Sequence, residues 1–569
     1  MKRGHFKSSV LLAALLVCPA WASQAPRSVD GQTAVGENVH SGALVSPAAR
    51  AEIRAAASLV EKGKFAEAEA HARRSVELAP MSAEAQNLLG IICDQLGRAA
   101  EAEKAYDTAL RLEPHLVSAR NNLGNLLARE GHAEQARAAF EQVLRLDPKH
   151  VQAHFNLGTL LAAAGEYGKA ADQFAAVRRL RGDDPAVLIA FLNAALRAGR
   201  IEESLRAAEE AARRSPRDAP LLFTLGSTMA QNSQYEAAAG FFARVNEVRP
   251  SSYEVLYNLG LARFNLKQYD DAAAAFAQAA DIDPHPPEAH FRLALIASEH
   301  RDLDNSILEL DHAARRSPDR ADYHYLLGRE YFRTGNWDAA AASYQRAVDL
   351  DPKQALYFLS LGNAQFRAMK HIAATRAFEQ AMTLDPKLPE ILYLIGYGYR
   401  AQGKFDEARR FLEQEAALHP EHIETLSNLG YLALEQGRYE EAEKLLNQVL
   451  QKAPNHLDAL FDLGRLWVKQ RKNDRAIEQL RRVVSVAPDH TQAHYQLFLL
   501  YSRTKQNDLA QKELADFRRL EEIDKLARRE NARLEKYRRA RSAGAQAGSE
   551  TEPAMGAQPA TLPPPQQPQ

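Results

Sequence analysis

Prolines stand at positions 80, 114, 148, 216, 250, 284, 318, 352, 386, 420, 454 and 488, a spacing of 34 residues broken once by a gap of 68, where Gly182 holds the missing place. A proline lacks the amide that a helix needs and pushes its predecessor out of helical geometry, so a phased series of prolines is a phased series of helix stops. Self-similarity at a fixed period of this size means one supersecondary unit stacked many times. The 569 residues are in any case too many for one hydrophobic core. Counting back from each proline gives about fourteen units, from Ala49–Ser82 to Thr491–Asp524.

Each unit reads as two amphipathic helices. In Val117–His150 the pattern predicts a first helix over Ser118–Glu130, a break at Gly131 and a second helix over Glu134–Asp147, ended by Pro148. The eighth position is Gly in ten units: Gly90, Gly124, Gly158, Gly226, Gly260, Gly328, Gly362, Gly396, Gly430 and Gly464. Gly inside a helix costs about 1 kcal/mol relative to Ala, so its recurrence needs a packing reason. The twentieth position is Ala in twelve units and Ser204 or Ser306 in the other two. The expectation is that these two small positions face each other and let the helices approach closely. Leu89, Leu123 and Leu157 would then flank the contact from one helix, and Tyr106, Phe140 and Phe174 from the other.

Leu at position seven, Gly at eight, Ala at twenty, an aromatic or Leu at twenty-four and Pro at thirty-two resemble the tetratricopeptide repeat, in a protein of exported bacterial type. The resemblance covers residues 49–524. It implies an all-α fold of antiparallel helix pairs stacked into a right-handed α-solenoid superhelix, the first helices lining a concave face. Leu192 and Phe498 depart from Gly at the eighth position, and Gly182 and Glu522 from Pro.

The ends differ from the array. Lys2, Arg3 and Lys7 precede the apolar stretch Val10–Val17 and the small-residue pattern Ala20-Trp21-Ala22, which together read as a signal peptide over residues 1–22. Cleavage is expected near Ala22/Ser23, with export to the periplasm or outside; a lipid on Cys18 is the alternative. The apolar stretch falls short of the ~20 residues that an anchor needs, and no later segment reads as a transmembrane anchor. Only Cys93 would then remain, which excludes an intramolecular disulfide. Residues 23–48 read as a flexible leader, residues 525–541 as an extension of the last helix that caps the array, and residues 542–569 as a disordered tail rich in Pro, Gln and Ala.

Candidate binding residues follow from the repeat positions. The sixth is Asn at Asn122, Asn156, Asn258 and Asn428. In the similar repeats of O-linked N-acetylglucosamine transferase, asparagines at this place bond the backbone of an extended ligand, a task that suits an amide because it both donates and accepts. The consensus alone would also supply Asn here, and Ala190, Leu326 and Leu394 interrupt the ladder. The fifth position is aromatic at Phe155, Phe223, Tyr257, Phe291, Tyr325, Tyr393, Phe461 and Tyr495. These rings either stack on a ligand or pack between successive first helices. Arg329, Arg333 and Arg367, with Tyr325 and Asn363, form a candidate clamp for an acidic segment, unless the arginines pair with Asp322 or Glu330. The carboxylate clamp of chaperone-binding tetratricopeptide domains is absent from the helices following Asn258 and Asn428.

The histidine pairs His150/His154 and His490/His494 have i,i+4 spacing but no third ligand at matching spacing, so no metal is expected. No nucleophile turn, phosphate loop or phased cysteine set points to catalysis or to a cofactor. The balance of 72 Lys and Arg against 73 Asp and Glu gives no reason to expect nucleic acid. The reading is a non-catalytic scaffold that holds a protein or extended peptide and assists assembly of an extracytoplasmic complex. The alternatives are a glycan-binding module of an envelope polysaccharide export system and a repeat subunit of a glycosyltransferase.

Overall fold

The computed structural model describes residues 45–182 and 184–548. The expected signal peptide, Cys18, most of the expected leader and residues 549–569 lie outside the described residues. Within them the chain forms 28 helices, from α1 (Pro47–Glu61) and α2 (Phe65–Leu78) to α27 (Thr491–Arg503) and α28 (Asn507–Gly548), and no strand. Odd-numbered helices are the first of each repeat and even-numbered helices the second. The unit Val117–His150 gives α5 (Val117–Arg129) and α6 (Ala133–Leu146), within a residue of the expected bounds at every end.

The chain divides into two units, one ending at Pro284 and one beginning at His285. In the first unit each second helix from α2 to α12 (Tyr235–Val248) packs between its own first helix and that of the next repeat, and first helices also touch first helices. There α1 meets α3 (Ala83–Gln95), and α3 meets α5. The second unit is built the same way: α21 (Ile391–Ala401) meets α23 (Ile423–Glu435), which meets α25 (Leu457–Lys469). First helices therefore form a continuous row in such runs.

Positions eight and twenty meet as expected, as where the Ser306 hydroxyl donates to the Ala294 carbonyl at 3.0 Å, but the nearest neighbour of each eighth-position Gly is the large residue at position twenty-four. A Cβ built on Gly124 would stand 2.6 Å from the Phe140 ring, and one on Gly226 2.9 Å from the Phe242 ring. The eighth-position Gly thus makes room for the large residue at position twenty-four, which lies over it rather than beside it. The twentieth position is walled in on all sides: Ala68, Ala102, Ala136, Ser204, Ala272 and Ala442 are all 0% exposed. Backbone approach shows at Gly362 and Gly396, where a Cβ would lie 3.1 Å from the carbonyl oxygens of Ala374 and Ala408. In the fifth repeat the sizes are exchanged, with Leu192 at position eight and Ala208 at position twenty-four, both 0% exposed in one cluster.

Between the two helices of every repeat, position fifteen takes a left-handed conformation. Gly fills it eight times, as at Gly131 (φ 83°), and Ser233, Lys267, Arg301, Met369, Arg471 and Lys505 fill it with φ of 59–62°. The last helix runs through to Gly548, past the Arg541 end read from sequence, so residues 542–548 are helix rather than tail. Its end, Ser-Ala-Gly-Ala-Gln-Ala-Gly, holds three alanines, the residue with the highest helix propensity. At the other end α1 starts at Pro47, inside the expected leader, because the Ser46 hydroxyl accepts the Ala49 amide and Pro47 needs no partner for an amide it lacks.

Candidate partner-binding site

The sixth-position asparagines are spread along the first helices and do different work. Asn122 donates to Asn87 Oδ1 at 3.2 Å, and Asn156 donates to Asn125 Oδ1 at 2.5 Å, so each ties one repeat to the one before it. Asn258 donates to Glu254 O in its own helix at 2.8 Å. Asn428 is buried, donates to Glu424 O at 2.8 Å and accepts from the Arg400 guanidinium.

Four of the eight fifth-position rings pack inside their own repeat, on the ring that covers the eighth-position Gly. Phe155 meets Phe174 at 5.7 Å, Tyr257 meets Phe276 at 5.5 Å and Tyr325 meets Tyr344 at 5.5 Å between centroids. Others also cross to the next first helix: Phe291 stacks on Tyr323 at 4.9 Å, and Tyr325 on Tyr357 at 4.9 Å.

The expected arginine clamp does not assemble as one. Glu330, fully buried, accepts from Arg329 at 2.7 and 2.9 Å and from Arg333 at 2.6 Å, and Arg333 also donates to Ser298 Oγ at 2.8 Å. Asp322 pairs with Arg320 instead, at 2.7 Å. Both arginines turn to Glu330 because a buried carboxylate needs partners, which exposed Asp322 does not. Arg367 lies over the Trp337 ring at 5.4 Å. It also lines a recess of about 230 Å³ with Asn363, Phe332, Phe366, Tyr393 and Tyr397. The Asn363 amide has no hydrogen-bond partner among the described residues, which leaves its donor and acceptor available there.

A larger recess of about 570 Å³ lies further along the second unit, on α21, α23, α25, α27 and α28. Its floor is electrostatic. Asp462, 6% exposed, accepts from Arg465 Nη1 at 2.9 Å, and Arg465 Nη2 donates to Glu435 at 2.5 Å. Burial pushes the Asp462 carboxyl up to about 6, and Arg465 only partly offsets that. Arg400 lies over the Tyr431 ring at 4.2 Å from one side of the floor. The walls carry Phe461 against His490 at 4.6 Å and Tyr495 against Phe517 at 5.1 Å. His490 Nδ1 accepts the Ala493 amide at 3.0 Å, capping α27. That bond puts the ring's proton on Nε2, and burial holds the ring's pKa down, so it presents a neutral N–H. The amides of Gln492 and Gln496 and the carboxylate of Asp458 also line the recess, without hydrogen-bond partners among the described residues.

Several of these residues share register positions that the sequence had singled out. Phe461 and Tyr495 hold the fifth position, while Asp462 and Gln496 hold the sixth, one and two repeats after Asn428. A search of the sixth position for any polar residue, rather than for Asn alone, would have found them.

Tetratricopeptide-repeat family models match residues 53–116, 121–185, 189–252 and 253–286. The model of the cilia and flagella-associated protein 70 C-terminal domain matches residues 304–535. Among solved structures, the MamA protein is 21% identical over 30% of this chain and 92% of its own, with a TM-score of 0.29. Naa15/Naa10 bound to HypK-THB is 15% identical over 83% of this chain and 94% of that one, with a TM-score of 0.30. YrrB, described as a TPR protein with an unusual peptide-binding site, is 22% identical over 32% of this chain and 94% of its own, with a TM-score of 0.26. No curated protein sequence matches.

Proposed function

Because this chain carries tetratricopeptide repeats between residues 53 and 286 and repeated helix pairs throughout its described length, we propose that it is a non-catalytic scaffold that holds an extended segment of a partner protein. The observation that carries this reading is the 570 Å³ recess of the second unit, where donors and acceptors stand side by side between aromatic walls. An extended peptide offers alternating N–H and C=O groups, and Gln492 and Gln496 each match both kinds. The Asp458 carboxylate favours a Lys or Arg side chain on the ligand, while Tyr495 and Phe517 cover its apolar part. Asn363 and the aromatic lining of the smaller recess give such a segment a second hold in the same unit. Residues 1–22 have the composition of an export signal, so the complex assembled on this scaffold would be extracytoplasmic.

A photo-crosslinking residue at Gln492, in cells that make the full chain, tests this reading. The expected product is a protein whose crosslinked peptide is extended and basic, and whose affinity falls at least about tenfold in Tyr495→Ala with Gln496→Ala. Capture of a polysaccharide in place of a protein would replace the peptide reading with the glycan-binding one. An affinity unchanged in the double variant would remove the recess from partner binding altogether. Recovery of the intact Met1 from native cells would overturn export.

A further inference from the structure

We propose that His290, Glu309 and His312 bind a divalent transition-metal ion of the zinc class. The three residues belong to one repeat of the second unit. His290 sits in the first turn of α15 (Pro287–Glu299), and Glu309 and His312 lie three apart on one face of α16 (Leu303–Arg316). The antiparallel packing of these two helices brings one ligand atom of each residue within 4.8 Å of those of the other two. The imidazole rings stand 5.1 Å apart and nearly perpendicular, at 88°.

The hydrogen bonding around the pair is incomplete in a specific way. His290 Nδ1 is 2.7 Å from Glu309 Oε2, and the side chain is 10% exposed. Its Nε2 is buried without a partner, and so is Nδ1 of His312. Two neighbouring imidazoles with a buried nitrogen each and no protein group for either are unfavourable as pure packing, since buried polar atoms are normally satisfied. An ion held between the two rings and Glu309 supplies the His312 nitrogen with the partner it lacks.

Related repeats show what a purely structural histidine looks like at this place. His154 has Nδ1 on Gln173 at 2.7 Å and Nε2 on the Pro148 carbonyl at 3.0 Å. His494 has Nδ1 on Glu513 at 2.6 Å and Nε2 on the Pro488 carbonyl at 3.1 Å. Asp516 completes a similar three-residue group around His494, yet both nitrogens of that ring are already taken. In the repeat of His290, position twenty-six is also His, which it is in no other of the fourteen units. That repeat therefore combines a second imidazole with an unsatisfied nitrogen on the first.

Two imidazoles and a carboxylate form an N/O ligand set suited to zinc-like ions and poorly suited to calcium or magnesium, which prefer oxygen. Three protein ligands leave a coordination position for water or for a partner's side chain. The ion would join the two helices of its repeat.

The full chain, stripped with chelator and titrated with Co²⁺ or Zn²⁺ alone, tests the proposal. One ion per chain is expected, with visible d–d absorption for Co²⁺. Affinity should fall about tenfold or more in His312→Gln and in Glu309→Gln, with helicity retained because both side chains are only partly buried. His494→Gln should leave the stoichiometry unchanged. Failure of the native chain to take up either ion overturns the proposal. So does His312→Gln binding as tightly as the native chain, or loss of the ion in His494→Gln alone.

Discussion

Gly260 lies directly under the ring of Phe276: a Cβ on this glycine would stand 2.6 Å from Cε1 and 2.7 Å from Cδ1. The ring, 0% exposed, has no free space to retreat into. Size at position eight and size at position twenty-four are therefore a single quantity shared between two helices, and Leu192 with Ala208 is the same quantity divided the other way.

Gly260→Leu should accordingly destabilise the chain by ~1–3 kcal/mol through overpacking. Combining it with Phe276→Ala should recover part of the loss, although Phe276→Ala alone leaves a cavity. Urea midpoints of the two single variants and the double variant decide the point. A double variant as unstable as the sum of the singles would show that the two positions are not coupled.

The inter-helix turns carry a second test. Lys267 is held at φ 61°, a conformation that costs an L-residue roughly 1–2 kcal/mol and costs Gly almost nothing. Glycine's greater freedom in the unfolded chain returns about 0.5–1 kcal/mol of that. Lys267→Gly should therefore raise the denaturation midpoint slightly, by up to about 1 kcal/mol in stability, whereas Gly131→Ala should lower it. Thermal melts of both variants check the opposite signs.

Glu330 makes the expected arginine clamp a matter of stability. Its side chain is 0% exposed, against 42% for Arg329 and 36% for Arg333. Arg329→Ala with Arg333→Ala would leave a buried carboxylate with only Ser298 as partner. Removing one side of a buried pair typically costs about 3–5 kcal/mol, and the exposure of the arginines places this case toward the lower end. Glu330→Gln, which keeps the acceptor and removes the charge, should be much milder. Equal melting temperatures for the native chain and the double variant would contradict this role.

Asp462 predicts a dependence on pH with a definite sign. Its folded-state pKa, about 6, lies above the 3.8 of a free aspartate, so the folded chain holds the proton more tightly than the unfolded one. The stability linked to that proton is complete below about pH 4 and is lost as the pH rises through 6. The gap between the two values corresponds to roughly 3 kcal/mol. Asp462→Asn removes the titration, so its stability relative to the native chain should improve between pH 4.5 and pH 7 by ~1–3 kcal/mol. A difference that stays constant over that range would mean that Asp462 is not held neutral by burial.

The repeat period, the helix bounds and the small eighth and twentieth positions were legible in the sequence because each acts through the local backbone. Pro148 stops its helix and Gly131 turns the chain whatever surrounds them, and Ala102 must be small in any stack of such pairs. What the sequence could not determine is where side chains go once several helices share a volume. The Phe276 ring, rather than a facing alanine, occupies the space above Gly260 because the ring reaches across and a methyl does not. Arg329 and Arg333 turn toward Glu330 because burial makes that carboxylate the stronger acceptor. Arg400, Asp462 and Gln496, in three different repeats of a run of four, meet in one recess only because stacking brings successive first helices side by side. His290, Glu309 and His312 sit at no recognised ligand spacing, since their separation is set by the packing of two antiparallel helices and not by the turn of either one.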